Sequence, residues 1–102
     1  MATKTKKLRP IHPGRVLKTV LEDAGISANA LALALRIPAN RVTEIISGRR
    51  SVSADTALRL ARFFGTSAQM WMNLQAKYDL ESAEDKMAER IETEVQPMRK
   101  AS

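Results

Sequence analysis

The fold of this chain is decided by residues 27–48, which read SANALALALRIPANRVTEIISG. Ser27 is a favourable residue before a helix, because its hydroxyl can accept a hydrogen bond from the first helical turn. Leu31, Ala32 and Leu35 then recur at helical spacing and share one face. We therefore predict a two-turn helix over residues 28–35, capped by Ser27.

A further helix is predicted to start at Pro38. The residue before a proline is disfavoured in the helical conformation, whereas proline itself tolerates a first helical turn. Val42, Ile45 and Ile46 give this helix an apolar face, and Gly48 is placed to end it in a left-handed conformation.

The apolar positions of these two helices agree with a steep packing angle. Ala32 is small where the helices approach each other, Ile37 fills the turn, and Val42 and Ile45 hold the second helix on the core. One flank of that helix then remains free. This arrangement is a helix-turn-helix, whose free flank enters the major groove of DNA.

The remaining sequence predicts helices and no strand. One helix covers residues 13–24 and ends at Gly25, another runs from Ser53 to Gly65, and the next begins at Ser67. The predicted buried stripe of that last helix is Met70, Trp71, Leu74 and Tyr78. We expect Asp79 to end or bend it, and residues 82–95 to form a separate, charged helix.

Composition divides the chain into three parts around one small core. Residues 1–12 hold four basic side chains and no acidic one, and we expect them to form a disordered arm at least as far as Arg9. Residues 13–80 form the helix-turn-helix domain. Residues 81–102, with six acidic and four basic side chains, form the charged C-terminal helix and tail. A basic body with an acidic end suits a polyanionic partner on one side only.

Several function classes are disfavoured. The chain has no cysteine, no apolar run long enough for a membrane span and no signal peptide, so we expect a cytoplasmic protein. His12 is the only histidine, and the paired acids Glu22-Asp23 and Glu84-Asp85 diverge on a helix. We therefore expect no enzyme, catalytic residue, metal site or cofactor.

The free flank of the second helix carries side chains suited to reading DNA. The candidates for base contacts are Ala39, Asn40, Arg41, Thr43 and Glu44. Asn pairs with adenine, Arg with guanine, Thr with a thymine methyl group, and Glu accepts from cytosine. Other roles remain open for two of them: Arg41 contacts phosphate, and Glu44 orients an arginine or repels an incorrect DNA sequence. The alternative for the whole face is that it does not bind DNA and is only a solvated helix surface.

Phosphate contacts are predicted beside this face, where side chains position the protein without reading sequence. The candidates are Ser27, Asn29, Ser47, Arg49 and Arg50. Lys7 and Arg9 in the arm follow the DNA backbone, enter a minor groove, or serve only as a solubilising tail.

Four motifs in order carry a family resemblance: IHPG at residues 11–14, GRR at 48–50, ADTALRLA at 54–61 and WMNLQ at 71–75. Together they resemble the HigA/VapI antidote family of XRE-type regulators. The resemblance implies an all-α, lambda-repressor-like domain of five helices, here with an additional C-terminal helix. It also implies an antitoxin that neutralises a RelE-like mRNA endonuclease and represses its own operon.

Departures from the family pattern concern the DNA-contacting segment. An acidic residue usually follows His-Pro-Gly, where this chain has Arg15, and a glycine usually stands at Arg36. Pro38 replaces the serine that caps the third helix. Ala28 and Ala39 replace glutamines that contact phosphate and bases in related regulators.

Three hypotheses follow. In the first, a homodimeric antitoxin binds a palindromic operator in double-stranded DNA, at the nucleoid, and captures a cognate toxin. In the second, the chain is a stand-alone transcriptional regulator without a toxin. In the third, it is a toxin-binding module with vestigial DNA binding, and either the arm or the charged C-terminal helix contacts the partner.

Overall fold

The computed structural model describes residues 9–99, which contain five helices and no strand. The helices are α1 (Pro13–Ala24), α2 (Ala28–Leu35), α3 (Ala39–Ile46), α4 (Ala54–Phe64) and α5 (Ala68–Glu94). The all-α class and the bounds of α1, α2 and α4 are confirmed. The arm residues Lys4, Lys6 and Lys7 lie outside the described residues. No helix within residues 9–99 is both long and apolar enough to cross a membrane.

Side-chain caps fix most helix starts. The residues that precede α1, α2, α4 and α5 each accept a hydrogen bond from the first helical turn: His12, Ser27, Ser53 and Ser67. Pro38 differs, because it precedes α3 in an extended conformation and provides no side-chain cap. The helix therefore begins one residue later than predicted. Gly48 has a φ of 81°, as expected for the turn that follows α3.

The predicted break at Asp79 is wrong. α5 is continuous over 27 residues, or about 40 Å at 1.5 Å per residue, and residues 82–94 are its continuation rather than a separate helix. Residues 68–94 contain no glycine or proline, and an aspartate within a helix costs well under 1 kcal/mol. Asp79 also accepts a hydrogen bond from Gln75 Nε2 one turn earlier, at 3.0 Å. The distal part of α5, residues 83–94, is exposed throughout.

The core lies between the helix-turn-helix and the first turns of α5. Its buried apolar side chains are Leu17, Leu21, Leu31, Ala32, Leu35, Val42, Ile45, Val52, Ala57, Leu60 and Trp71. Every predicted buried residue of α2 is in this set. The prediction for α5 is only partly right, because Met70 is 37% exposed while the polar Gln75 is 4% exposed.

The start of α1 packs directly on the backbone at the end of α3. A Cβ atom added at Gly14 would collide with the carbonyl oxygen of Ile45. Only glycine permits this approach. His12 Nδ1 accepts a hydrogen bond from Gly14 N at 2.9 Å, and Pro13 is fully buried. The IHPG motif therefore has a structural role, which is to hold α1 against α3.

Arg36 ends α2 in the left-handed conformation, with φ of 62° and ψ of 43°. Among residues 9–99 it is the one non-glycine residue with positive φ. Its side chain is exposed, so no burial offsets the unfavourable contact between Cβ and the backbone. The position at which the family pattern has glycine is thus one whose left-handed backbone favours glycine, and Arg36 adopts that conformation at a cost.

We expect Arg36→Gly to raise the free energy of unfolding by about 1 kcal/mol, because it relieves a left-handed non-glycine residue. Urea denaturation monitored through the single Trp71 measures the change. Gly65→Ala is the matched control: Gly65 has φ of 72° and open space around it, so this variant should lose a similar amount. An unchanged or lower stability of Arg36→Gly would contradict the prediction.

Candidate nucleic-acid interface

α3 presents a continuous polar face above its buried side. Val42 and Ile45 are each 1% exposed and face the core. The side chains on the opposite side are exposed or half-buried: Ala39, Asn40, Thr43, Glu44 and Ser47. At 100° per residue these positions span about 140° of the helix surface, and Arg41 lies about 60° beyond Glu44, between that span and the buried Ile45. Four of the predicted base-reading residues are therefore brought together on one face, and Arg41 lies beside it.

Glu44 is held by an arginine that follows α3. Its Oε1 atom lies 2.8 Å from both Nε and Nη2 of Arg50, and its backbone oxygen accepts from the Arg49 and Arg50 N–H groups. Glu44 and Arg50 therefore form an ion pair, and the role of Glu44 on DNA stays a prediction. Both contacts use Oε1, so the second carboxylate oxygen, Oε2, remains an acceptor while the pair is intact.

The uncharged polar side chains of the face differ in the hydrogen-bonding groups that remain available for a DNA base. The Thr43 hydroxyl donates to the backbone oxygen of Asn40 at 3.1 Å, which leaves its methyl group and lone pairs outward. The Asn40 amide makes no hydrogen bond to any residue in 9–99. Because it keeps both a donor and an acceptor, Asn40 is the side chain best suited to pair with the edge of a base.

The candidate phosphate contacts lie in two places, directly after α3 and at the N-terminus of α2. Arg49 is exposed, and its Nε donates to Ser47 Oγ at 3.1 Å, which directs the guanidinium along the end of α3. Ser27 accepts from Ala30 N as the N-cap of α2, next to the exposed Asn29. An anion at the N-terminus of α2 is compatible with that cap.

Arg9 is not on the α3 face. It borders a groove of about 460 Å³ between the start of the described chain and α5, together with Ile11, Val16 and acidic residues of α5. A DNA contact by the arm therefore stays a prediction, and Lys7 lies outside the described residues.

Gln75, the last residue of the WMNLQ motif, is a polar residue in the core. Its Oε1 accepts from Val52 N at 2.7 Å in a buried environment. This bond anchors the loop that carries Arg49 and Arg50 to α5. The neighbouring Asn73 is exposed, and its one side-chain hydrogen bond to any residue in 9–99 is from Gln69 Nε2. The burial of Gln75 could have been predicted from its position, because it lies one turn after Trp71 on the side of α5 that faces the core.

His12 connects the start of α1 to α5. Besides capping α1, its ring lies edge-to-face against Tyr78 of α5, with centroids 4.8 Å apart. Burial lowers the pKa of His12 below its ordinary value of 6.5, while Asp79 and a hydrogen bond to the Arg50 backbone oppose this shift. The neutral ring is required for capping, because a protonated Nδ1 cannot accept from Gly14 N.

Known proteins share this sequence and fold. Residues 17–71 match the helix-turn-helix family HTH_3. Virulence-associated protein I of Dichelobacter nodosus is 51% identical over 75 residues, 72% of this chain and 69% of that protein. An addiction module antidote protein of the HigA family from Coxiella burnetii is 52% identical, covering 89% of this chain and 100% of that one with a TM-score of 0.83. Pseudomonas aeruginosa antitoxin HigA, solved with the higBA promoter, is 47% identical over the same shares, with a TM-score of 0.86.

The packing of α2 against α3 and the free face of α3 define a helix-turn-helix protein of the XRE type. The match over residues 17–71 spans both helices. The chain belongs to the HigA family of helix-turn-helix antitoxins, which confirms the resemblance drawn from its motifs. This is a family of DNA-binding regulators and not an enzyme class.

We expect the stability of the protein to fall as the pH is lowered from 6.5 through the folded-state pKa of His12. In that window the unfolded chain binds the proton more readily than the folded one, so stability rises with pH. Urea denaturation between pH 5.5 and 7.5 measures the slope. Because the chain has one histidine, no other imidazole contributes.

His12→Asn is the matched variant for this measurement. Asparagine keeps an N-cap acceptor but does not titrate. Its profile should be flatter than that of the wild type between pH 5.5 and 6.5. Superimposable slopes would show that His12 does not carry the pH dependence.

Proposed function

We propose that this chain is an autorepressing antitoxin that binds a palindromic operator as a homodimer and neutralises a RelE-like mRNA endonuclease. The observation that carries the DNA-binding half is the free Asn40–Thr43 face of α3, flanked by exposed arginines. The Pseudomonas aeruginosa relative, which was solved with the higBA promoter, supports DNA binding. We propose that the chain acts in the cytoplasm, at the nucleoid, where its operator would lie.

The contacts suggest a division of labour on DNA. Asn40 reads a base, because its amide is unengaged, and the Thr43 methyl group packs on thymine. Arg49 binds phosphate, as does Arg50, which Glu44 orients. Phosphate contacts act on every sequence alike, whereas base contacts discriminate.

A homodimer supplies the second half-site contact. Twofold partners present their recognition helices about 34 Å apart, one turn of DNA, and this spacing matches a palindrome. Association would also cover apolar side chains of α4, where Leu58 is 64% and Phe63 44% exposed.

The distal part of α5 is the proposed toxin-binding surface. Residues 83–94 carry five acidic and two basic side chains. Met87 and Ile91, one turn apart, are 36% and 49% exposed on one side of the helix. An acidic helix with an apolar stripe fits a basic partner with an apolar groove.

Binding to the chain's own promoter tests the repressor half. Asn40→Ala should reduce the preference for the promoter over random duplex, while Arg49→Ala should weaken both and lower the salt slope of log K by about one unit. Fluorescence anisotropy over a salt series measures both quantities. If wild-type protein binds promoter and random DNA equally at physiological salt, the repressor function fails; equal effects of the two variants reject the division of labour.

Co-expression with the product of the adjacent gene tests the antitoxin half. We expect a complex whose affinity falls at least tenfold in Ile91→Glu, with promoter binding unchanged, because a carboxylate would be buried in the apolar contact. Thr93→Glu, about 120° around the helix from the Met87–Ile91 stripe, adds the same charge as a control. Promoter binding without any captured toxin would instead support a stand-alone regulator.

A further inference from the structure

Asp55 lies between two arginines, one of which belongs to the recognition helix α3. Its Oδ2 atom is 2.9 Å from Nε of Arg59 and 3.9 Å from Nη1 of Arg41. Asp55 is in the first turn of α4, and Arg59 is one turn further along the same helix. The three side chains therefore join the edge of the α3 face to α4.

Arg59 holds the carboxylate in a defined position. Its Nη1 donates to the backbone oxygen of Leu35, the last residue of α2, at 2.9 Å. The guanidinium thus bridges the end of α2 and the start of α4. The oxygen that Arg59 holds, Oδ2, is the same atom that lies near Arg41, so the bond to Arg59 keeps a negative charge beside Arg41.

The contact between Arg41 and Asp55 contributes little to stability. The two side chains are 33% and 58% exposed, and ion pairs of this kind stabilise proteins by about 0–1 kcal/mol. Its effect on DNA is larger in principle. An unpaired arginine at the edge of a DNA-binding face attracts phosphate irrespective of sequence, whereas an arginine beside a carboxylate presents much less net charge.

The two charged residues of α3 are held differently. Glu44 and Arg50 are in close contact at 2.8 Å, but Arg41 stands 3.9 Å from its carboxylate. The looser pair can open when a better partner is offered at the right place. A phosphate at an arbitrary position must compete with Asp55 for Arg41.

We infer that Asp55 is a positioning residue for Arg41 that reduces binding to DNA of arbitrary sequence and so raises the preference for the operator. The inference rests on the proposed DNA-binding function and assigns a role to a residue outside the helix-turn-helix. Asp55 itself need not contact DNA. It acts by restricting where Arg41 can form its ion pair.

The test is a double-mutant cycle on random duplex DNA. Asp55→Asn should strengthen binding threefold to tenfold at about 0.1 M salt and steepen the salt slope of log K by up to one unit, because Arg41 gains a phosphate contact. In an Arg41→Ala background the same substitution should have less than half of this effect. Asp23→Asn, on the exposed side of α1, removes the same charge away from α3 as a control.

Two results would overturn the inference. An equal effect of Asp55→Asn with and without Arg41 would show that the carboxylate acts only through its long-range field. An effect that persists in Arg41→Ala but disappears in Arg59→Ala would assign the gained contact to Arg59. Thermal unfolding of each variant confirms that the compared proteins are folded.

The promoter assay separates this inference from the proposed function. Random-duplex binding and its salt slope need no operator, so coupling between Asp55 and Arg41 can be found even if the promoter is not preferred. We expect Asp55→Asn to lower the ratio of promoter affinity to random-duplex affinity. If this decrease requires Arg41, it supports the full inference. An unchanged ratio contradicts the specificity part.

Discussion

The close approach of Gly14 to the Ile45 carbonyl is the constraint on which the position of the recognition helix depends. The last turn of α3 lies against the first turn of α1, where any Cβ atom would collide with backbone. Val42 and Ile45 then fix the rotation of α3 by their burial. With its end and its rotation both determined, α3 can direct only its remaining face outward, and that face carries Asn40 and Thr43.

A second anchor acts immediately after α3. The buried hydrogen bond from Val52 N to Gln75 holds the loop on α5, and the Glu44 backbone oxygen holds the loop's first N–H groups. Arg49 and Arg50 therefore project from a segment tied at both ends. An unpaired Val52 N–H would cost about 1–3 kcal/mol in this buried position, which explains a polar side chain in the core.

Interactions between residues close in sequence made most helix boundaries predictable, whereas contacts between residues distant in sequence could not be predicted. Capping depends on neighbours within one turn, so helix boundaries can be predicted from local sequence. The helix starts were indicated by Ser27, Ser53 and Ser67, and two helix C-termini by Gly25 and Gly65. The continuity of α5 at Asp79 was missed, since a helix interior tolerates aspartate when no glycine or proline interrupts it. Gln75 pairs with a backbone group 23 residues away, and Asp55 with an arginine 14 residues away, so neither contact has a local signature. The grouping of residues 39–47 followed from periodicity, but their roles on DNA stay predictions.

The two surfaces proposed for this chain are compatible because their charges are opposite and α5 is rigidly continuous. The α3 face is flanked by Arg49 and Arg50, whereas residues 83–94 have a net negative charge and repel a polyanion. A helix broken at Asp79 would let the acidic segment fold back toward the arginines beside α3. The unbroken α5 instead carries it away from the core along a molecule 57 Å in its longest dimension. One chain can therefore present a DNA-binding surface and a protein-binding surface without either neutralising the other.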